Sequence, residues 1–138
     1  MTRPLLTMLC VALAHLASSS PQQQQKEWQD PSPHTARLVT VDTDVQLEVL
    51  DWGGSGPAVV LLAGLGDTAH VFDDFATLLT SRHRVIAVTR RAHGRSSAPL
   101  TGYGFARLAD DVMQVIDFVG VERPIVIGHA FLSVQQKH

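Results

Sequence analysis

The sequence predicts an α/β fold in which an antiparallel N-terminal hairpin leads into a mostly parallel sheet with flanking helices. Three observations carry this. Apolar and polar residues alternate over residues 37–41 and 45–50, the period of strands with one face toward a core. Unbroken apolar runs follow at residues 58–62, 85–88 and 125–127, as in strands covered on both faces. Between these runs lie two segments with large apolar residues at helical spacing, and the order strand, helix, strand, helix, strand implies parallel neighbours.

The chain of 138 residues has room for one domain, and its 45% hydrophobic and 17% charged content is that of a globular protein. A net charge of -2 without a basic stripe gives no electrostatic case for nucleic acid or an anionic membrane as partner. Arg90-Arg91, the only adjacent basic pair, reads as solvated surface. Residues 1–19 have the layout of a secretory signal peptide: Arg3 at the start, an apolar stretch from Leu5 to Ala17 too short to span a bilayer, then Ala17-Ser18-Ser19 for cleavage. Cys10, the single cysteine, lies inside that segment, so an exported product would carry no disulfide, thiol nucleophile or thiolate metal site. Residues 20–36, rich in glutamine, proline and serine with Trp28 as their one large apolar group, read as a disordered linker to a domain at 37–138.

Asp42-Thr43-Asp44 supplies the turn of the hairpin, and the glycine-rich residues 53–57 form a loop before the first buried strand. After that strand, Val71, Phe72, Phe75, Leu78 and Leu79 mark one face of a helix that Asp67 or Thr68 can cap. Phe105, Leu108, Val112, Val115, Ile116 and Val119 mark the second helix, ended by Gly120. The last apolar run breaks into Gly128-His129, a strand entering a tight turn.

Taken in order, these segments resemble the α/β-hydrolase family over about residues 37 to 130. Ala63-Gly64-Leu65-Gly66 stands where the family commonly has His-Gly-x-x. Residues 89–96 look like its Asp-x-x-Gly-x-Gly-x-Ser loop, with Thr89 for the aspartate and Ala92 for the first glycine. Leu108-Ala109-Asp110-Asp111-Val112 falls on the following helix, and Gly128-His129 matches the start of the Gly-x-Ser-x-Gly nucleophile elbow.

The resemblance implies an incomplete α/β-hydrolase fold, related to serine hydrolases that act on esters or similar small molecules without a cofactor. Members with an elbow aspartate cleave epoxides or carbon–halogen bonds. It also implies a nucleophile, a histidine, an orienting acid and two oxyanion amides, which by position belong to Leu65 and Phe131. Here Ala130 occupies the nucleophile position, Leu132 replaces the final glycine, and the acid and base, which follow the nucleophile in family order, are expected to be missing before His138. The expectation is therefore a truncated domain with no intact catalytic set. Ser133, three residues past the elbow position, reads as a tail serine. His70, His83, His93 and His129 lack metal-ligand spacing and read as surface or loop residues, so no metal is expected.

Two other readings stay open. Gly64-Leu65-Gly66-Asp67-Thr68-Ala69 matches the dinucleotide fingerprint, and Thr89-Arg90-Arg91 on the next strand would suit the extra phosphate of NADP, although a hairpin precedes the motif and a ribose-binding acid is missing. A noncatalytic binding or scaffold protein on the same fold is the other. If the chain ends after the last strand, the open edge favours non-specific self-association. Exported material is expected to begin between Ser18 and Ser20 on terminal sequencing; intact Met1 recovered from the cytosol would count against export.

Overall fold

The computed structural model describes residues 30–128. Strands β1 (Thr35–Asp42) and β2 (Val45–Gly53) form the antiparallel hairpin, closed at Thr43 and Asp44. Asp44 adopts φ +56°, a left-handed conformation that aspartate tolerates better than most residues. Strand β3 (Ala58–Leu62) leads through a loop and a single 3-10 turn, Ala69–Phe72, into helix α1 (Asp73–Leu79). Strand β4 (Arg84–Thr89), helix α2 (Phe105–Val119) and strand β5 (Ile125–Gly128) complete the described order. The sheet runs β1-β2-β4-β3-β5, with β2 antiparallel to β4 and with β3 parallel to both β4 and β5.

Alternate residues of the same strands build two separate cores. Leu47, Val49, Val60, Ile86 and Val88 pack with Val115 and Ile116 of α2. Leu50, Trp52, Val59, Leu61, Val85 and Ala87 pack with Ala69, Phe72 and Ala76. Each large aliphatic side chain fully buried this way contributes about 1.5–3 kcal/mol. At the far end of α2, Gly120 takes φ +66° and closes the helix, while the Arg84 guanidinium donates to the Val119 carbonyl at 3.2 Å and to Asp51 at 2.9 Å. An otherwise orphan helix-end carbonyl is thereby satisfied from the sheet.

Three expectations are corrected. Strand β2 is not half-buried: it lies between β1 and β4, and Glu48, on the face that alternation assigns to solvent, is only 2% exposed. The first helical segment is split into a 3-10 turn and a short helix, and neither Thr68 nor Phe72 makes a side-chain cap bond at their starts. Its sheet-facing side is Ala69, Phe72, Ala76 and Leu79, whereas Val71, Phe75 and Leu78 are exposed, Leu78 at 75%. Small residues let this segment lie close against the sheet, so the stripe of large side chains does not mark the buried face. Strand β5 is not covered on both faces: among the described strands it stands at one edge of the sheet, and Ile125, Val126 and Ile127 are between 39% and 49% exposed.

Residues 1–19, Cys10 and Trp28, and at the other end His129, Ala130, Phe131 and Ser133, lie outside the described residues. No helix among the described residues is long and apolar enough to cross a membrane. Phe72→Ala is expected to cost about 3–5 kcal/mol in urea unfolding, the range for deleting a buried aromatic ring. Leu78→Ala should stay within about 0.5 kcal/mol of the parent; the reverse order would restore the face marked by the large residues.

Candidate active site

Two loops meet at the carboxyl edge of the parallel strands. The first, residues 63–68, leaves β3; the second, residues 90–104, leaves β4. Register sets what comes next to them, because Leu62 lies opposite Gly128 and the end of β5 is therefore beside the start of the first loop.

The second loop holds the first. The Gly66 amide donates to His93 Nε2 at 3.1 Å, and an Arg90 guanidinium nitrogen lies 3.2 Å from the same ring atom. Two donors on Nε2 place the ring proton on Nδ1, which lies 2.9 Å from the Arg91 carbonyl and donates to it. Both nitrogens of His93 are thus engaged. The Leu65 amide, one residue before Gly66, takes no hydrogen-bond partner among the described residues, and its side chain is exposed. Burial lowers the pKa of Arg90 from its ordinary value.

Thr89, at the position where the family resemblance places an aspartate, is fully buried. Its hydroxyl accepts from the Ala69 amide at 2.9 Å and donates to Glu48 Oε2 at 3.0 Å. Ser96 returns to the same spot, its Oγ accepting the Glu48 amide at 2.9 Å and donating to the Thr89 carbonyl. Ser97 repeats the contact one step along, accepting the Gln46 amide at 2.9 Å. The two serines therefore lace the loop to the first half of β2. Ala92 sits at φ +60°, which explains why a glycine suits that position, since a Cβ there costs roughly 1–2 kcal/mol. At Gly94 a Cβ would lie 2.9 Å from the Thr68 methyl, so the two loops touch at a place closed to side chains.

Arg91 is not solvated surface. It is 2% exposed, and its Nε and Nη2 grip both oxygens of Asp111, itself 2% exposed, at 2.5 and 2.8 Å. Arg107, one turn earlier on α2, adds bonds of 3.0 and 2.7 Å to Asp111 Oδ1 and one of 2.8 Å to the Val41 carbonyl. Asp42 Oδ2 completes the cluster 3.3 Å from Arg91. The Asp111 hydrogen bonds raise the pKa of Arg91 against its burial. The Thr43 amide and then Arg91 hold the exposed Asp42 carboxyl below the usual range, so its contribution is present above that range and fades as pH falls through the lowered value.

Beside the loops a cavity of about 320 Å³ opens among Leu47, Leu62, Ala63, Val88, Phe105 and Leu108. Its volume is that of a small-molecule site. Ala63, where the family commonly has histidine, forms part of its wall. Of the remaining sequence candidates, His83 lies between α1 and β4, while His70 is half-buried between two carboxylates and not a plain surface residue. Sequence reasoning missed Glu48; the one available signal was an acidic residue inside a strand flanked by valine and leucine.

Asp111→Ala should destabilise the fold by about 3–5 kcal/mol in urea unfolding, because it leaves the Arg91 charge buried without its partner. Replacing Arg91 and Asp111 together by methionine and leucine should recover most of that loss. An Asp111→Ala effect under 1 kcal/mol would contradict the geometry.

Comparison with known proteins agrees with this architecture. The model of the alpha/beta hydrolase fold family matches residues 57–131. A fluoroacetate dehalogenase of a Burkholderia species is 34% identical over 82 residues, covering 56% of this chain and 27% of the relative. The 2-(acetamidomethylene)succinate hydrolase of Mesorhizobium japonicum is 35% identical over 77 residues, covering 56% and 28%. The crystal structure of an E-2-(acetamidomethylene)succinate hydrolase superposes with a TM-score of 0.65 at 32% identity, over 70% of this chain and 35% of the other. The epoxide hydrolase VrEH1 of Vigna radiata gives 0.66 at 25% identity, over 72% and 32%. This chain thus spans between a quarter and a third of the length of the two curated relatives.

The dinucleotide reading falls on the same findings. Its glycine motif follows the third strand, and Arg91, which would have met the extra phosphate of NADP, is locked onto Asp111. The match over residues 57–131, the mixed sheet and the two loops at its carboxyl edge identify the chain as a member of the α/β-hydrolase family.

Proposed function

We propose that this chain carries the ligand-binding and oxyanion half of a small-molecule hydrolase site, related to serine hydrolases of esters and similar compounds, and that Ala130 leaves it without a covalent step. The observation that carries this reading is the register of β3 against β5. Leu62 opposite Gly128 brings the elbow strand to the loop bearing Leu65, whose amide has no partner among the described residues. In this reading a substrate carbonyl oxygen takes hydrogen bonds from the Leu65 and Phe131 amides, and its apolar part enters the cavity lined by Leu62 and Phe105. The methyl group of Ala130 has no lone pair to attack that carbonyl. His93 offers no substitute base, since Nε2 already accepts from Gly66 and the proton on Nδ1 is held by the Arg91 carbonyl.

The names of the relatives support small organic substrates, hydrolysed or dehalogenated. The loss of the nucleophile favours binding without turnover, which joins this reading to that of a noncatalytic binding protein on the same fold. Export follows from the signal-like segment at residues 1–19.

The test is to offer the purified chain activated short-chain esters. Hydrolysis should match the blank, and a fluorophosphonate should leave no adduct by mass spectrometry. Saturation-transfer NMR should detect the bound ester, and Ala63→Trp, which fills the cavity, should remove that signal. Turnover above the blank that the fluorophosphonate abolishes would overturn the proposal.

A further inference from the structure

On the α1 side of the sheet, away from the cavity, the fold gathers four polar side chains that sequence spacing gives no reason to group. His34 stands just before β1, Glu48 is on β2, His70 is in the 3-10 turn and Asp73 opens α1. His34 Nδ1 lies 2.9 Å from Asp73 Oδ1, and His70 Nδ1 lies 3.5 Å from Asp73 Oδ2. One ligand atom from each of His34, His70 and Asp73 falls within 4.8 Å of the others. Ligands at about 2.0–2.1 Å in a tetrahedral zinc site stand roughly 3.3 Å apart, and each imidazole has one Asp73 oxygen near that spacing, Oδ1 for His34 and Oδ2 for His70.

The surroundings are those of a built site. Glu48 is 2% exposed, and its Oε1 is buried without a hydrogen-bond partner. That oxygen points at the opposite side of the His70 ring, 3.6 Å from Nε2. A metal-bound histidine characteristically gives its second N–H to a carboxylate, which fixes the ring and raises its basicity. Ser32 donates to Asp73 Oδ1 at 2.7 Å, a second hydrogen bond of the kind that orients a ligating carboxylate. The His34 ring is held edge-on between Trp52 and His70, with both centroid separations 5.2 Å.

We propose that His34 Nδ1, His70 Nδ1 and an oxygen of Asp73 bind a divalent transition-metal ion, best matched by zinc, with Glu48 positioning the His70 ring. Imidazole and carboxylate are ligand types that zinc takes, and a mixed set of this kind suits it. The ion clamps the segment before β1 to the start of α1. Through Glu48 and Thr89 the clamp also reaches the Ala69 amide and hence the end of the loop that carries Leu65.

The test uses the full chain and zinc alone. Titration against a competing chelator should show one saturable site per chain. Cobalt in its place should give the intense visible absorption of four-coordinate Co(II). His70→Gln and Asp73→Asn should weaken zinc binding by well over tenfold, and Glu48→Gln by about 10–100-fold; His83→Gln, outside the cluster, should leave it unchanged. X-ray absorption of the zinc-loaded parent reads the ligand shell without any variant and should show two imidazoles with oxygen donors. No saturable zinc site, a shell lacking the two imidazoles, or His70→Gln and Asp73→Asn binding as tightly as the parent would each overturn the proposal.

Discussion

Arg91 and Asp111 place opposite full charges where the fold admits almost no water. Transferring either alone into such a site costs several kcal/mol, so the pair persists because both guanidinium donors on that edge meet both carboxylate oxygens and Arg107 fills the acceptor capacity that remains. The cluster touches the hairpin turn through Asp42, the loop after β4 through Arg91 and helix α2 through Asp111. With Arg91 pinned, its carbonyl is in place to orient His93, and His93 in turn holds the Gly66 amide. The geometry of the first loop is thus set by an ion pair that touches none of its residues.

The same economy of anchoring appears on the opposite face. Glu48 presents one oxygen to Thr89 and the other to His70, so a single buried carboxylate connects β2, β4 and the turn that follows the first loop. Ser96 uses the Glu48 backbone amide and Ser97 that of Gln46 to lay the second loop along the sheet. Both loops are therefore fixed by hydrogen bonds to the scaffold, which is the preorganisation an anion-stabilising site requires. The fourth-strand loop gives Ser96, Ser97 and His93 to support, and its one residue in the cavity lining is Arg90.

The strands were legible because their signal is local. Unbroken apolar runs mark β3, β4 and β5, and the segment order then limits the topology to a few arrangements. The buried face of the 3-10 turn and α1 was not legible, since two of its four sheet-facing residues are alanines while Val71, Phe75 and Leu78 stand outward. Nor was the burial of Arg91, because arginine is exposed by default and its partner lies 20 residues away. Glu48 and the His34, His70 and Asp73 group were hidden for the same reason. Their proximity follows from strand register and from the docking of the 3-10 turn, neither of which leaves a spacing in the chain. The readings of Ala130 as the nucleophile position and of Leu65 as an oxyanion donor rest on the family's motif order alone.

Two cores drawn from alternate residues of the same strands restrict how such a chain can change length. Removing one residue from β3 would turn Val59 and Leu61 toward α2 and Val60 toward the 3-10 turn, exchanging the contents of both cores at once. A substitution at any of these positions disturbs one side, whereas a single-codon deletion disturbs both. Insertions and deletions in descendants of this sequence are thereby confined to the connections, and the stretch from Leu100 to Gly104, outside every strand and helix, is where length can drift without moving either core.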